Sequence, residues 1–248
     1  MTAITGRADQ RILDAVADFR QTSSLNEMWQ LLHRHLAGFG VTGMLYGMAA
    51  FPNAKLEHDI MLTSLSPAYM KAKMSEQLYA SDAFVQACLT ETDPMLWSDA
   101  SRLEQATSKT KRSLEVDWDY GVTTGVTLPT RFNNGFGKGG FGLHAADLSW
   151  AEFDRIWLEQ GDVISAIAHG FDICIRQGGA SEKFALAPRE RECLLWLAIG
   201  LRPQQIAFRL GTHVKTVEKQ IESARRKLNA ATTVQAVVFA LVYGLISP

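Results

Sequence analysis

The stretch Leu186–Asn229, LAPRERECLLWLAIGLRPQQIAFRLGTHVKTVEKQIESARRKLN, decides the fold of the last part of the chain. The prolines and glycines at intervals in this stretch predict three consecutive helices. Pro188 starts the first helix, where its missing N–H does no harm, and Gly200 ends it. Pro203 starts a second helix of about two turns. The third and longest helix runs over Val214–Leu228.

The third predicted helix has a buried stripe and a charged outer face. Its apolar residues recur at spacings of three and four, which places them on one side of a helix. They are Val214, Val217, Ile221, Ala224 and Leu228. A short helix, a glycine turn and a longer helix with a charged face predict a helix-turn-helix. The same pattern also fits a small bundle whose charged face only meets water.

The distribution of charge favours DNA binding over the plain bundle. The chain has a net charge of −1, but residues 177–248 hold ten basic and five acidic residues, for a net charge of +5. The other 176 residues hold 15 basic and 21 acidic residues, for a net charge of −6. A basic module beside an acidic one suits a protein that neutralises phosphates with one part only.

This stretch resembles the DNA-binding domain of LuxR-type transcriptional regulators. The matching positions are Leu186, Arg189, Glu190, Leu194, Gly200, Ile206, Ala207, Leu210, Thr216, Val217, Glu218, Arg226, Lys227 and Leu228. Ala187 departs from the pattern, because a Thr or Ser usually caps the first helix. The resemblance implies a homodimer on a near-palindromic operator in double-stranded DNA, and a structural role for Glu190, paired with a basic residue of the later helices.

The resemblance also assigns roles to individual residues. The outer residues early in the third helix are candidates for base edges in the major groove: Lys215, Thr216, Glu218, Lys219 and Glu222. Basic residues around them are candidates for phosphate contacts: Arg202, Arg209, Arg225, Arg226 and Lys227. A last helix over Thr232–Leu245 carries an apolar stripe that fits inward packing, and that the family uses for dimer contact: Val234, Val238, Leu241 and Leu245.

Composition and length bound the rest of the chain. At 248 residues with 47% hydrophobic content, two domains with separate cores are expected. No apolar run approaches the roughly 18 residues of a membrane span, and the polar start lacks a secretory signal, so we expect a cytoplasmic protein with no membrane partner. The three cysteines are Cys88, Cys174 and Cys193. Because they are isolated from one another in the sequence, we expect free thiols and no metal site.

The pattern of residues 1–176 predicts an α+β domain, an antiparallel sheet sandwiched between helices. Helices are expected at residues 8–21, 24–38, 67–77, 82–89 and 148–176, with a long polar helix or loop at 100–120. Strands are expected at residues 43–50, 58–63, 122–131 and 139–145, with a turn at Phe51–Asn53. Residues 177–185, QGGASEKFA, read as a linker with little to bury, and residues 186–248 as the helix-turn-helix domain.

The run Gly135–Gly140 matches the GxGxxG motif of dinucleotide-binding proteins. That motif needs a strand before it and a helix after it. Here a second predicted strand follows, and Asn134–Gly135 is typical of a hairpin turn. No nucleophile, paired carboxylates or catalytic triad stands out either, so we expect neither an enzyme nor a bound cofactor.

The family resemblance extends into the N-terminal part. Ligand-responsive members carry an Asp, a Trp fifteen residues later and a Gly forty-three residues after the Asp, and Asp82, Trp97 and Gly125 reproduce both intervals. In the family the Asp accepts the amide N–H of an N-acyl-homoserine lactone, and the Trp lines the pocket. Asp82 also fits an ordinary helix start, and Trp97 an ordinary core residue. The candidate ligand-binding residues are Tyr69, Met70, Lys73, Asp82, Val85, Trp97, Thr127 and Gly142.

Departures in this pocket change the expected ligand. The family's Trp and Tyr before the Asp fall on Tyr69 and Lys73, or on Met70 and Met74 in another register, so the Trp that donates to the lactone carbonyl is absent in both. Gly142 stands where a Ser or Thr is usual. We therefore expect an altered pocket, for a different small apolar signal or for a weak or absent acyl-lactone response.

Three other interpretations stay open at this point. A response regulator shares the DNA-binding domain but needs acidic residues and a phosphorylated Asp at strand ends, which the opening helices lack. An enzyme with an accessory helix-turn-helix lacks a catalytic set. A ligand-independent regulator, whose N-terminal domain serves only dimerisation or a partner protein, fits the altered pocket.

Overall fold

The structure is a computed structural model, and it describes residues 2–22, 24–49, 60–99, 106–132, 137–179 and 181–248. The N-terminal helices are α1 (Thr2–Gln21), α2 (Leu25–Ala37), α3 (Pro67–Ser75), α4 (Ala83–Thr90), α5 (Ser108–Asp119) and α6 (Trp150–Cys174). The strands are β1 (Gly43–Ala49), β2 (Ile60–Thr63), β3 (Met95–Leu96), β4 (Gly125–Phe132) and β5 (Gly137–His144). The C-terminal helices are α7 (Ser181–Phe184), α8 (Pro188–Ala198), α9 (Pro203–Arg209), α10 (Val214–Lys227) and α11 (Thr233–Val242).

The strands form one antiparallel sheet in the order β2-β1-β5-β4-β3. Strands β4 and β5 pair as neighbours, with Phe132 opposite Gly137. The glycine run therefore enters a strand and opens no helix, as predicted. The turn expected at Asn134–Gly135 lies outside the described residues, as does the turn expected at Phe51–Asn53.

The alternation of side chains along each strand gives the sheet two different faces. On one face Tyr46 and Phe141 pack against Phe171 of α6 in a core that α1 and α2 complete. On the other face a smaller core forms around Trp97 with residues of α3 and α5. Helices thus cover both faces of an antiparallel sheet, which confirms the predicted α+β sandwich beside an all-α C-terminal domain.

Glycines in β5 let α4 lie close against the sheet. An added Cβ at Gly140 would stand 2.3 Å from Cys88 Sγ and 2.6 Å from the carbonyl oxygen of Leu128. No side chain fits at such distances, so this part of the glycine run serves close helix–sheet packing.

Side-chain caps fix where several helices begin. Ser149 and Glu152 form a reciprocal capping box at the start of α6, since the Ser149 N–H donates to Glu152 Oε2 at 2.9 Å. At the start of α8 only half of that box exists. Ala187 has no side-chain acceptor, but its N–H donates to Glu190 Oε2 at 2.7 Å.

The structure differs from the sequence expectations in two places. The two-residue strand β3 was not predicted, because so short a segment carries no alternation. The supposed linker was expected to bury little, yet Phe184 is only 5% exposed and its ring lies 4.8 Å from that of Tyr243. That expectation was wrong because one aromatic residue suffices to anchor a polar segment.

Among the described residues, no helix combines the length and apolar character needed to cross a bilayer.

A buried polar group links the sheet to α6. The Tyr46 hydroxyl donates to Asp172 Oδ1 at 2.8 Å, while Arg176 Nη2 donates to Oδ2 at 2.6 Å. Burial and then the Asp172 carboxylate raise the pKa of Tyr46 well above its usual value, so the phenol stays protonated. It acts as a permanent donor to a carboxylate that is itself buried.

Replacing Tyr46 by Phe should destabilise the N-terminal domain by about 1–3 kcal/mol, because Asp172 loses a buried donor. Denaturation in urea, followed by tryptophan fluorescence, measures this loss. Tyr120→Phe is the control, since that side chain is 44% exposed and its change should cost little. Equal midpoints for the two variants would contradict the assigned role of the hydrogen bond.

Candidate functional site

A cavity of about 650 Å³ lies between the sheet, α3 and α4. This volume is in the range of small-molecule sites. All eight residues predicted to bind a ligand line it: Tyr69, Met70, Lys73, Asp82, Val85, Trp97, Thr127 and Gly142. Met74, from the alternative register, lines it as well. The structure therefore brings the predicted residues together, while their part in binding stays a prediction.

One end of the cavity holds a buried cluster of charges centred on Lys73. Its Nζ lies 2.5 Å from Asp82 Oδ2 and 2.6 Å from Asp117 Oδ1. The same ammonium donates to Ser113 Oγ at 2.6 Å and to the Ser113 carbonyl at 3.0 Å. Lys73 is only 3% exposed, and a buried ammonium needs such partners to offset its lost hydration.

Asp82 is both a helix cap and part of the cavity wall. Its Oδ1 accepts the N–H groups of Phe84 and Val85 at 2.9 and 3.1 Å, which starts α4. Its Oδ2 accepts from Lys73 and from the Ser113 hydroxyl, the latter at 2.9 Å. The two interpretations of Asp82 from sequence are thus compatible in one side chain.

The second carboxylate of the cluster, Asp117, accepts a proton more readily than an ordinary Asp side chain. Burial and then the neighbouring Asp82 raise the pKa of Asp117 to about 6, against the lowering effect of Lys73 and Tyr69. The Tyr69 hydroxyl donates to Asp117 Oδ1 at 2.8 Å, whereas Oδ2 is buried without a hydrogen-bond partner. Two carboxylates thus share one ammonium.

The wall of the cavity away from this cluster is largely aromatic and aliphatic. Trp97 stacks on Phe84 with ring centroids 4.6 Å apart, and its Nε1–H donates to Thr127 Oγ1 at 3.0 Å. His144 faces the other side of the same indole at 6.0 Å. Burial lowers the pKa of His144, so its ring is neutral at physiological pH. An apolar cavity with one polar end suits a small amphiphile.

The C-terminal helices arrange a polar surface over a separate small core. Ile206 and Ala207 of α9 pack on Val217 and Ile221 of α10, together with Cys193 of α8. The predicted base-reading residues are all exposed on the outer side of α10: Lys215, Thr216, Glu218, Lys219 and Glu222. Gly211, with φ of 60°, makes the turn between the two helices.

Comparison with known proteins assigns both parts. A family model described as the autoinducer binding domain matches residues 24–172, more than half of the chain. A second model, of bacterial regulatory proteins of the luxR family, matches residues 185–240. The chain belongs to the LuxR family. It is a quorum-sensing type of transcriptional regulator with an autoinducer-binding domain.

Individual LuxR-family proteins match over nearly the whole chain. The quorum sensing-dependent regulator RpaR of Rhodopseudomonas palustris is 26% identical over 97% of this chain and 96% of its own. The activator AnoR of Acinetobacter nosocomialis is 25% identical over 94% and 98%. These relatives regulate transcription, and the matched families are regulatory ones.

Solved structures of one LuxR-type protein share the fold. SdiA of Escherichia coli has a TM-score of 0.57 and 16% identity, covering 96% of this chain and 98% of that one. A structure of SdiA in complex with octanoyl-rac-glycerol gives the same TM-score.

One residue predicted to contact phosphate is already paired within the LuxR-type DNA-binding domain, and its contact with DNA stays a prediction. Lys227 was predicted to contact phosphate, but its Nζ lies 2.8 Å from Glu190 Oε2 and 3.0 Å from the Ala185 carbonyl. Glu190 is 3% exposed, so its charge requires this partner. Burial opposes ionisation of Glu190, but hydrogen bonds from Lys227, Ala187 and Ser223 outweigh it and lower its pKa. The structural role expected for Glu190 is therefore what the geometry supports.

Other predicted residues differ in how far they are available. The Arg225 guanidinium already makes hydrogen bonds within the protein, since it donates to Glu222 at 2.8 Å and to the Ala231 carbonyl at 2.9 Å. Arg209 is exposed, with its guanidinium 4.2 Å from the centroid of the Trp196 ring. Arg202 and Arg226 are exposed.

The predicted dimer stripe on the last helix is shorter than expected. Val234 and Leu241 are 73% and 39% exposed, and Val238 is half-buried. Leu245 is 6% exposed and lies beyond the end of α11. It cannot share the outer face, because the chain turns inward at Gly244, whose φ is 65°.

Sequence analysis missed two residues of the cavity cluster, Ser113 and Asp117. Both lie on α5 inside a stretch that was predicted as a polar helix or loop, yet both are almost fully buried. Their spacing could have indicated this burial. Ser113 and Asp117 are four residues apart in sequence, with Leu114 and Val116 between them, so these residues can share one side of a helix. No group of three or more His, Cys, Asp or Glu suited to a metal ion occurs among the described residues.

Asp117 should make the stability of the domain depend on pH. Its folded pKa of about 6 lies above the unfolded value of about 3.9. The unfolded chain therefore releases this proton first, and the free energy of unfolding falls as pH rises from about 4 to 6, by at most about 1.4 kcal/mol for each unit by which the pKa is raised.

Asp117→Asn should remove that fall. Urea denaturation at several pH values between 4.5 and 7.5 should show the stability difference, variant minus wild type, increasing with pH. Asp119→Asn, on an exposed position of the same helix, should leave the slope unchanged. Parallel curves for wild type and Asp117→Asn would mean that Asp117 does not titrate in this window.

Proposed function

We propose that this LuxR-type regulator binds a near-palindromic operator as a homodimer, and that a small, mostly apolar molecule in its N-terminal cavity controls that binding. The supporting observation is the exposed polar face of α10 on a basic module, beside an acidic module with an apolar cavity of about 650 Å³. The proposed domains are residues 1–176 and 186–248, with residues 177–185 between them.

On DNA, α10 is proposed to lie in the major groove. Lys219 and Lys215 suit guanine O6 and N7, and Glu218 or Glu222 can accept from cytosine N4. Arg202, Arg209 and Arg226 are the proposed phosphate contacts, and they supply affinity without sequence choice. Selection from randomised duplexes, followed by sequencing, tests the proposal. The expected product is a near-palindrome with half-sites about ten base pairs apart, centre to centre.

Lys219→Ala should weaken binding to the selected operator more than binding to random duplex, because a base contact is lost. Arg226→Ala should weaken both about equally and reduce the salt dependence by about one counterion. Fluorescence anisotropy titrations at several salt concentrations measure both effects. Lys109→Ala, which removes one exposed charge from α5, is the control. An unchanged affinity and salt slope for Lys219→Ala would place that residue outside the interface.

The exposed part of the α11 stripe supports dimer contact through this helix. Leu241→Asp should give monomers in analytical ultracentrifugation, because an acidic group would be desolvated at an apolar contact. Ile199→Asp, on another exposed apolar position of the same domain, should leave the assembly unchanged. Dimers that survive Leu241→Asp but dissociate with Leu158→Asp would move the contact to α6, where Leu158 is 87% exposed.

The ligand is proposed from the cavity and from the family. An autoinducer-binding domain suggests a small signal such as an acyl-homoserine lactone, and SdiA has been crystallised with octanoyl-rac-glycerol. No bound cofactor is proposed, and no membrane partner.

A ligand-independent regulator is the second candidate. The observation that favours it is Asp82, whose oxygens already accept four hydrogen bonds from the protein. In that case DNA affinity and oligomeric state would be the same in protein stripped of small molecules and in protein purified from its own source. Native mass spectrometry of the latter reports stoichiometry and retained ligand together.

A further inference from the structure

The ammonium group of Lys73 has no hydrogen left for a ligand. An ammonium carries three N–H donors. Four acceptors surround this one, from Asp82, Asp117 and twice from Ser113, at 2.5 to 3.0 Å. Although Lys73 lines the cavity, its charge is turned to the protein's own carboxylates.

The Asp82 carboxylate is equally occupied. A carboxylate offers about four lone-pair positions. Here two backbone N–H groups donate to Oδ1, and Lys73 and the Ser113 hydroxyl donate to Oδ2. A ligand N–H that approached Asp82 would have to displace one of these donors. Displacing Lys73 would separate a buried ammonium from one of its two carboxylates, and this lost charge pairing costs more than the new bond returns.

Two hydroxyl groups of the cavity lining keep hydrogen-bonding capacity, Thr127 beside Trp97 and Tyr69 beside the cluster. Thr127 accepts from Trp97, which leaves its own hydrogen for an acceptor on the ligand. Tyr69 donates to Asp117, which leaves a lone pair on its oxygen. A ligand carbonyl or ester oxygen can use the Thr127 donor. Asp117 Oδ2 lacks a hydrogen-bond partner, but Asp117 is not among the residues that line the cavity, and the carboxylate that does line it, Asp82, is already satisfied.

We propose that Lys73 determines ligand specificity by holding Asp82 as an internal partner, so that the cavity takes acyl esters in preference to acyl amides. This inference rests on the proposed small-molecule function of the cavity. The ligand class follows from hydrogen-bond accounting: an uncharged apolar chain with acceptor oxygens at its polar end matches the hydroxyl donor and the apolar wall. An acyl anion matches poorly, because two carboxylates already share one ammonium in the cluster.

The decisive comparison uses two ligands that differ by one atom group. N-Octanoyl-homoserine lactone carries an amide N–H, and α-octanoyloxy-γ-butyrolactone has an ester oxygen in its place. Isothermal titration of the full chain should show the ester binding more tightly than the amide. Octanoate, the third probe, should bind at least tenfold more weakly than the ester.

A double variant then releases Asp82 without changing the net charge. Lys73→Met/Asp117→Asn removes one positive and one negative group, and the Asn oxygen still accepts from Tyr69. Asp82 Oδ2 becomes available to a ligand donor. The ratio of amide to ester affinity should rise tenfold or more, because hydrogen bonds to charged groups are strong. Lys71→Met, an exposed lysine on the same helix, should leave the ratio unchanged.

The wild-type ratio decides the matter even if the double variant does not fold. Binding of the amide by wild-type protein as tightly as the ester, or more tightly, overturns the inference, as does tighter binding of octanoate than of the ester. Absence of binding by all three probes overturns it too. Operator binding by the same preparation is measured in parallel, so failure of the ligand inference is distinguishable from failure of the proposed DNA-binding function.

Discussion

Buried carboxylates, each neutralised by a donor from elsewhere in the fold, join helices and strands in both parts of the chain. The Asp172 carboxylate accepts hydrogen bonds from Tyr46 and Arg176, which links the sheet to α6. The Asp82 carboxylate accepts from Lys73, which links α4 to α3. The Glu190 carboxylate accepts from Lys227, which links α8 to α10. In each case the partner comes from a different element or a later turn, because the charge can leave water only once both elements are packed. Removing one partner is therefore costly in a way that removing an exposed charge is not.

The two faces of the sheet divide stability from ligand chemistry. The face towards α6 carries an aromatic core around Tyr46, Phe141 and Phe171. The opposite face carries Leu45, Thr127 and Gly142 and borders the cavity. Because neighbouring residues on a strand point to opposite sides, changes at cavity positions leave the dense core intact. This separation allows one scaffold to carry quite different pockets.

Local patterns predicted the C-terminal domain well and the polar contacts of the cavity poorly. The spacing of Val217, Ile221 and Ala224 fixes a helix face within a few turns of chain, and all three are buried. Lys73 was expected in the pocket, but its link to Asp117, 44 residues later, depends on how α3 and α5 meet, which no periodicity reports. The pairing of Lys227 with Glu190 is likewise a contact between residues far apart in the sequence, which no local pattern reports. The burial of Phe184 and Leu245 was not predicted, for a different reason. Each residue lies at a turn of the chain, where one side chain points inward although its neighbours are polar or exposed.

The glycines of β5 determine which positions of the cavity wall can accept a larger residue. At Gly140 any side chain meets Cys88 Sγ at 2.3 Å, and α4, with Asp82 at its start, would be displaced. At Gly142 a Cβ would lie 3.6 Å from the Trp97 ring, an ordinary contact distance. One codon change there would add a hydroxyl or methyl beside the indole without moving a backbone. The shape of the cavity can thus change at position 142 by single substitutions, whereas position 140 cannot accept a side chain.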